Sequence, residues 1–463
     1  MSKNDLIPPA AVRDSWQTLP IAADYDVLVV GGGPTGAAAA IAAGRDGARV
    51  LLVEQHGFLG GSGTAALVPA WCPFSDREKC IIRGIGYEIL EEMKQGMPHI
   101  PPEMIDWVPI DPERLKVIYE QRVTAAGAEI LYLTHFLDVV LSEERDGAGR
   151  ALIDSIIIHN KSGIQRVKAR TIIDCTGDAD VAAIAGVPFH KGDPQTGTLQ
   201  PCTMCFVLAG VDNSVLQPWL WADDSKNLLL KPSIAAAKAA GDLDIIEDAA
   251  NVAYQSESTI GFNFSHVFDV DATDGQQFSQ AMIEGRTLVR HLTDFVRKYL
   301  PGCESAFLVS SGVQIGVRET RRIVGDYTLT LDDYLARRSF DDEIARSAYY
   351  IDIHLSKKEW EANLGQEIDW DAKIHQYQPG ESHGIPYRCL LPEGVANLLV
   401  AGRCISTDRA VQGSTRVMPN CLMMGEAAGC AAALVGAEKG LVRTVDIKQL
   451  RERLRGYGAW LPE

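Results

Sequence analysis

The sequence predicts an α/β fold in which both ends of the chain build one mostly parallel sheet and the middle is inserted as a second, α+β unit. Three observations predict it. A strand–helix–strand pattern with a glycine-rich turn occupies residues 25–55. A buried-strand pattern and an Ala-rich helix pattern return at 394–440. Between them, from about 191 to 384, aromatic and charged residues increase and long turn-like stretches appear, such as "KGDPQTGTLQP" and "DDSKNLLLKP". At 463 residues the chain is too long for one simple core. The expected division is an N-terminal arm at 1–24, a first sheet segment at 25–190, the insertion at 191–384 and a second sheet segment at 385–463.

The first segment carries the clearest chemistry. "YDVLVV" is a continuous apolar run rich in β-branched residues, which reads as a parallel strand buried on both faces. "TGAAAAIAAGRDG" reads as a helix whose small residues lie close to the sheet, and "ARVLLVE" as a second strand. In the turn between them Gly31 makes the tight bend, Gly33 lets a pyrophosphate approach the backbone, and Gly36 lets helix and strand pack closely. The helix N-terminus offers free N–H groups and a positive dipole end to phosphates. Glu54 closes the second strand eighteen residues after Gly36, where an acid binds a ribose hydroxyl. Strand, turn, helix, strand and acid together read as a Rossmann-like dinucleotide site.

The next stretch, "HGFLGGSGTAALVPAW" at 56–71, holds a second glycine cluster. Here the sequence resembles the two-dinucleotide-binding-domain flavoproteins, in which such a loop runs along the ribityl chain and the flavin ring. The resemblance implies FAD rather than NAD. In the disulfide-reductase branch of that group a cysteine pair follows the loop. This chain has none there, so dithiol exchange is not expected.

Further along, Asp111 with Pro112 reads as the start of a helix that ends at a Gly127 turn before a strand. "ALIDSIIIHN" and "QRVKARTIIDCTGDADV" alternate around a "KSG" hairpin turn. They resemble the β-meander of FAD domains, with "TIIDCTGD" returning the chain to the cofactor. "GVANLLVAGRCIS" reads as a buried strand ending at Gly402. "VMPNCLMMGEAAGCAAALVGAEKG" (417–440) reads as a helix with Pro419 in its first turn. In flavoproteins of this kind that helix aims its N-terminus at the flavin pyrimidine ring, where its dipole favours reduced flavin.

"VVGGGPTGAAAAIAAGRDGARVLLVE", "FLGGSGTA", "IDCTGDADV", "GVRETRRIVGDYTLT", "IPYRCLLPEGVANLLVAGRCIS" and "GSTRVMPNCLMMGEAAG" together resemble the FAD-dependent oxidoreductase family, related to the fumarate reductase and succinate dehydrogenase flavoproteins. The resemblance spans about 25–436. It implies a discontinuous FAD-binding domain, parallel sheet plus β-meander, under a substrate-capping insertion. The cofactor residues it implies are Gly31, Gly33, Pro34, Thr35, Gly36 and Glu54, the loop Gly60, Gly61, Ser62, Gly63 and Thr64, then Thr176, Gly177, Gly402, Arg403, Asn420 and Cys421. It implies non-covalent FAD, with Cys72 the candidate should a covalent link exist, and a homodimer. Succinate-type flavoproteins place a carboxylate-binding arginine just before the flavin-facing helix, and Arg416 falls at that place. Met418-Pro419 departs from their Gly-rich continuation.

Hydride transfer also needs a group that moves a proton. The candidates are His383 in "ESHGIPYR", His354 in "YIDIHLS" and His266 in "NFSHVFD", with Tyr387 and Arg388 beside the first. "GVRETRRIVGDY" gathers Arg318, Glu319, Arg321 and Arg322, either as an ion-paired strand–turn or as an electropositive wall for an anionic substrate. A second GxGxxG is missing, so the electron donor or acceptor is left open.

Composition narrows the rest. Net charge is −17, from 44 basic and 61 acidic residues, which disfavours nucleic acid and anionic lipid as partners. No apolar run reaches membrane-span length, and "MSKNDLIPPAAVRDSWQTLP" has no signal-peptide h-region. Ten scattered cysteines read as free thiols in a reducing, cytoplasmic compartment. Cys202 and Cys205 have CxxC spacing but no partner pair at zinc spacing, so they read as half-buried cysteines and no metal is expected. The expected function is hydride transfer between flavin N5 and a small polar substrate, an organic acid or a hydroxylated compound. A flavin-bearing electron-transfer subunit and a non-catalytic flavin-binding protein are the alternatives.

Overall fold

The computed structural model describes residues 15–222, 230–362, 376–435 and 440–462. Most of the arm, at 1–14, and most of "DDSKNLLLKP" lie outside the described residues, as do 436–439 at the end of the expected last helix.

β1 (Ile21–Val30), α1 (Pro34–Arg45) and β2 (Val50–Val53) form the expected unit. β1 starts at Ile21 rather than after residue 24, because a long partner strand pairs with it from Ile21 onward. α2 (Ile85–Gln95) follows, then α3 (Pro112–Ala125), capped by Asp111 accepting from the Glu113 and Arg114 amides. Gly127 then turns the chain, at φ +82°, into β3 (Glu129–Leu131). β4 (His135–Arg145), β5 (Ala151–Asn160) and β6 (Gly163–Asp174) make the meander.

The insertion contributes β7 (Phe206–Ala209), β8 (Asn251–Ser256), β9 (Thr259–Asn263), the long α4 (Gly275–Tyr299) and β10 (Phe307–Ser311). β11 (Glu343–Ser347) pairs antiparallel with β12 (His383–Pro386). The chain closes with β13 (Leu398–Val400), α5 (Arg409–Thr415) and α6 (Met418–Leu434).

The main sheet runs β3-β2-β1-β6-β5-β4, with β13 on the far end of β6. β1, β2, β3 and β13 pair in parallel, and the meander pairs antiparallel. Alternate residues of the parallel strands enter different cores. Val27, Val29 and Leu52 meet α1 and α6, whereas Leu28, Val30 and Leu51 meet the meander side. That two-faced burial is why these strands read as continuous apolar runs.

α6 lies directly on α1. A Cβ at Gly425 would sit 2.1 Å from the Thr35 carbonyl oxygen, and one at Gly429 2.2 Å from that of Ala39. The last helix is thereby fixed on the first. α5 and α6 are apolar together but bend by 89°, and among the described residues no single helix is long and apolar enough to cross a membrane.

The inserted sheet, β8-β9-β7-β10, packs one face on α4, where Phe206 stacks on Phe262 and Phe264 meets Phe295. Its other face presents Cys205 and Val207 to Leu67, in the stretch after the second glycine cluster. This second core extends from Cys202 to Val317. Ile323, Tyr334, Ile344 and Tyr377, expected within the insertion, lie in the two cores of the main sheet. The return comes early because Arg321–Ile323 pairs with Phe189–Lys191.

Gly425→Val is expected to lower stability by about 1–3 kcal/mol or more, because backbone atoms cannot move aside. Gly275→Ala, with nothing within 4 Å of the new methyl, is expected to leave the unfolding midpoint unchanged. Thermal denaturation of the two variants checks the contrast.

Candidate active site

A cavity of about 680 Å3 runs along the carboxyl ends of the parallel strands, over the α1 N-terminus and on to the α6 N-terminus. Gly31, at φ +98°, turns so tightly that a Cβ would meet the Cys175 carbonyl at 2.5 Å. A Cβ at Gly36 would meet the Gly31 carbonyl at 1.8 Å. Gly33, in contrast, faces open space, with its nearest neighbour at 4.0 Å. As the N-cap of α1 it has no side chain to occupy the first-turn amides, and that turn contains no acid. The cradle fits a pyrophosphate. Glu54 is buried at one end and accepts from the Gly32 amide at 2.6 Å and the His56 amide at 2.7 Å. At the other end Ser62, Ala66, Arg403, Arg416, Met418 and Cys421 line the wall.

A small cavity of about 100 Å3 adjoins that end and shares Ser62, Val317, Arg403, Arg416 and Met418 with it. It shares Arg318 and Asn263 with a third cavity, of about 810 Å3, between the insertion and the segments around His99 and Tyr350. Several charged groups converge near this junction. Arg416 donates from Nη2 to the Asp352 carbonyl at 2.8 Å and to its carboxylate at 3.1 Å. The Tyr349 hydroxyl (3.1 Å) and His354 Nε2 (3.3 Å) meet the same carboxylate. The His354 ring lies 4.9 Å, edge to face, from that of His266, whose Nδ1 is 2.6 Å from Glu247.

Arg318 stands apart in this cluster. It is buried and donates from Nη1 to the Pro201 carbonyl and the Thr203 hydroxyl, both at 2.8 Å. Among the described residues no carboxylate pairs with it. Burial and the neighbouring Arg416 guanidinium both work against its charge, and Asp352 only partly compensates. Arg321 and Arg322 behave otherwise. Arg321 pairs with Asp180 at 2.7 Å and Arg322 with Glu319. The ion-paired reading of "GVRETRR" describes these two, although Arg321 also lines the 680 Å3 cavity. Arg318 is the member that lines the other two without a carboxylate partner among the described residues.

Burial, reinforced by Arg318, drives His354 well below its ordinary 6.5 despite Asp352. Burial also lowers His266, with Glu247 opposing. Both imidazoles are therefore neutral near neutral pH, and His354 is available as a proton acceptor. Cys72 lines the small cavity, but burial, then Asp352, pushes its thiol up to about 12. A protonated thiol is a poor nucleophile. Burial likewise pushes Cys202 up to about 11 and Cys205 up to about 12, so neither is poised for exchange.

Of the expected cofactor residues, Gly31, Gly33, Pro34, Thr35, Glu54, Gly61, Ser62, Thr176, Gly177, Gly402, Arg403 and Cys421 line the cavity. Gly36, Gly60, Gly63, Thr64 and Asn420 lie behind it. Gly60 donates to the Gly32 carbonyl and Thr64 to that of Leu59, which shapes the loop, while Asn420 donates to Ser347 and Ser414. His354 lines the 810 Å3 cavity and Arg416 the other two, and both contact the Asp352 carboxylate.

His383 and Arg388 do not line any of these three cavities, which corrects their placement as candidates for the chemistry. β12 carries His383 into the main core, fully buried, with Nδ1 2.5 Å from the Tyr377 hydroxyl. Arg388 lies on a half-exposed turn and donates to Asp342 at 2.9 Å. Tyr387 beside it is buried and donates to the Val442 carbonyl.

Thr134, His135 and Phe136 line the Glu54 end and were not anticipated. Their signal was available, since they follow β3, a parallel strand, and ligands bind beyond the carboxyl ends of such strands.

Fold and cavity define a dinucleotide-binding α/β protein with a lidded, charged recess beside the cofactor groove. A profile described as FAD dependent oxidoreductase matches residues 26–454. The chain belongs to that family; it is an enzyme and its cofactor is FAD. It is similar to thiamine thiazole synthase of Aeropyrum pernix, 34% identical over 121 residues, 26% of this chain and 41% of that one. It is also similar to digeranylgeranylglycerophospholipid reductase 2 of Methanopyrus kandleri, 26% identical over 207 residues, 41% of this chain and 46% of that one. The chain thus spans less than half the length of these curated relatives. Among solved structures, p-nitrophenol 4-monooxygenase from Pseudomonas putida aligns over 94% of this chain and 84% of its own, at 12% identity and a TM-score of 0.46.

His354 gives the site a pH signature. The folded state holds its imidazole neutral, whereas the unfolded chain takes up a proton below about 6.5. Its contribution is present above that pH and is lost as pH falls through it. Denaturant midpoints are expected to drop between about pH 6.5 and 5, and His354→Gln to reduce the slope by up to about 1.4 kcal/mol per pH unit.

Proposed function

We propose that this enzyme moves a hydride between N5 of FAD and a substrate bearing a carboxylate or comparable anion, an organic acid carrying a hydroxyl at the reacting carbon. The observation that carries the reading is the buried Arg318 guanidinium, without a carboxylate partner among the described residues, opposite Arg416 where the three cavities meet. An unpaired buried cation costs several kcal/mol, and a bound anion removes that cost.

The glycine turn, the α1 N-terminus and Glu54 would hold the dinucleotide, with Thr176, Gly177, Gly402 and Arg403 along its length. FAD supplies the two-electron acceptor or donor. The chain's own residues do the remainder. Arg318 and Arg416 fix the anion in a forked, charge-assisted grip. The neutral His354 accepts the hydroxyl proton in oxidation or returns it in reduction, and Asp352 stabilises the imidazolium formed. The insertion from Cys202 to Val317 acts as the cap, excluding water and strengthening these charges.

Anaerobic titration of the FAD-loaded enzyme with hydroxy acids, amino acids and uncharged polyols tests the reading. A hydroxy acid is expected to bleach the flavin absorbance; bleaching by polyols alone would contradict it. Arg318→Met is expected to weaken that acid at least about a hundredfold, consistent with about 2–5 kcal/mol for a buried charge pair. The same variant is expected to keep or raise the thermal midpoint, because it removes an uncompensated buried charge.

A further inference from the structure

The recess at Arg318 is only the inner end of something larger. The 810 Å3 cavity is of the size that holds drug-sized ligands, about 300–1,000 Å3. A small hydroxy acid fills the 100 Å3 junction and leaves this volume unused. Its polar groups are not spread evenly. Arg318, His354 and His266 gather at the junction end, where Arg318 and Asn263 are shared with the small cavity. The walls beyond carry Ile100, Met104, Leu220, Val252, Tyr254 and Ile353, with His99, Gln217 and Asn251 among them. His99 is engaged by the Tyr254 carbonyl at 3.0 Å and Gln217 donates to Asn213 at 3.3 Å. The carboxylates on those walls are already engaged. Glu247 pairs with His266, Asp106 accepts from the Phe74 and Ser75 amides, and Asp248 lies 3.7 Å from Lys231. The rim carries two exposed tryptophans, Trp107 at 42% and Trp221 at 68% exposure.

We infer that the substrate is an amphipathic acid, with its anionic head at Arg318 and Arg416 and a long alkyl or aromatic body filling the 810 Å3 cavity toward Trp107 and Trp221. This rests on the anion reading above and extends it to the substrate's body. A polyol or sugar body would recover only part of its hydrogen bonds to water here, from side chains such as Gln217 and Asn251. An apolar body gains about 0.8 kcal/mol per buried methylene, whereas the head alone gains none of it. The distribution of polar groups orients such a molecule with its acid end beside the cofactor groove.

Calorimetric titration of the FAD-loaded enzyme with acetate, octanoate and 1-octanol tests this without turnover. Octanoate is expected to bind at least about a hundredfold tighter than acetate, given six further methylenes. It is also expected to bind at least about tenfold tighter than 1-octanol, which lacks the charge. Ala249→Trp, which places a bulky ring on the cavity wall, is expected to bring octanoate close to acetate while leaving acetate and FAD content unchanged. Should that variant lose FAD, the three probes on the unsubstituted enzyme decide alone. Octanoate no tighter than acetate would overturn the amphipathic body while leaving the anion site standing. 1-Octanol as tight as octanoate would overturn the anionic head. Failure of both acids to bind would remove the anion reading and this inference with it.

Discussion

Backbone meets backbone where α6 lies on α1, with Gly425 against the Thr35 carbonyl and Gly429 against that of Ala39. Everything functional in the molecule depends on that contact. α1 begins at the glycine turn after β1, and α6 begins at Met418 behind its Val417 cap, some 380 residues later in the chain. Holding the two helices together puts both N-termini on one cavity, each with its amides uncapped by side chains. It also fixes where Arg416 can be, since that residue ends α5 and immediately precedes α6. Only glycine allows so close an approach, and the poly-alanine face of α1 supplies the matching smooth surface.

The insertion completes what the helix pair begins. Its sheet rests on the stretch following the second glycine cluster through Leu67, Cys205 and Val207, and the Gln314 amide donates to the Ala65 carbonyl at 3.1 Å. Arg318 comes one residue after the last member of the insertion's own core. It is therefore delivered to the junction by the same turn that returns the chain to the main sheet. Arg416 arrives from the opposite side, tied to Asp352. Two guanidiniums and one carboxylate in a buried recess form an electrostatically incomplete arrangement, which an anionic ligand would complete under the proposed function.

Much of the scaffold was legible in the sequence because its signals are local. The Asp111–Pro112 start of α3, the Gly127 turn and the hairpin at 161–163 are each written within a few residues, and so is the glycine turn before α1. Arg416, singled out for its position ahead of the Ala-rich helix, does line the cofactor-side cavity. The misplacement of His383 and Arg388 has a physical cause. Nearness in the chain to a cofactor-side motif does not tell which face of β12 looks inward, and pairing with β11 turns His383 into the core. Asp352 and Arg416 are 64 residues apart, and His266 meets Glu247 across a strand pair. Pairings of that range leave no periodic trace. The large cavity is assembled from segments near residues 100, 250 and 350, so its volume and apolar walls exist only after folding. The expectation of a small polar substrate came from the resemblance to succinate-type flavoproteins and the place of Arg416 in it.

The central claim is that an acid binds between Arg318 and Arg416 beside the flavin. A crystal structure of the FAD-loaded enzyme with a bound carboxylate measures this directly. The account predicts density for the carboxylate within salt-bridge distance of both guanidiniums, with FAD along the glycine turn and the α6 N-terminus. A carboxylate bound elsewhere, with Arg318 still unpaired beside the ordered cofactor, would contradict it.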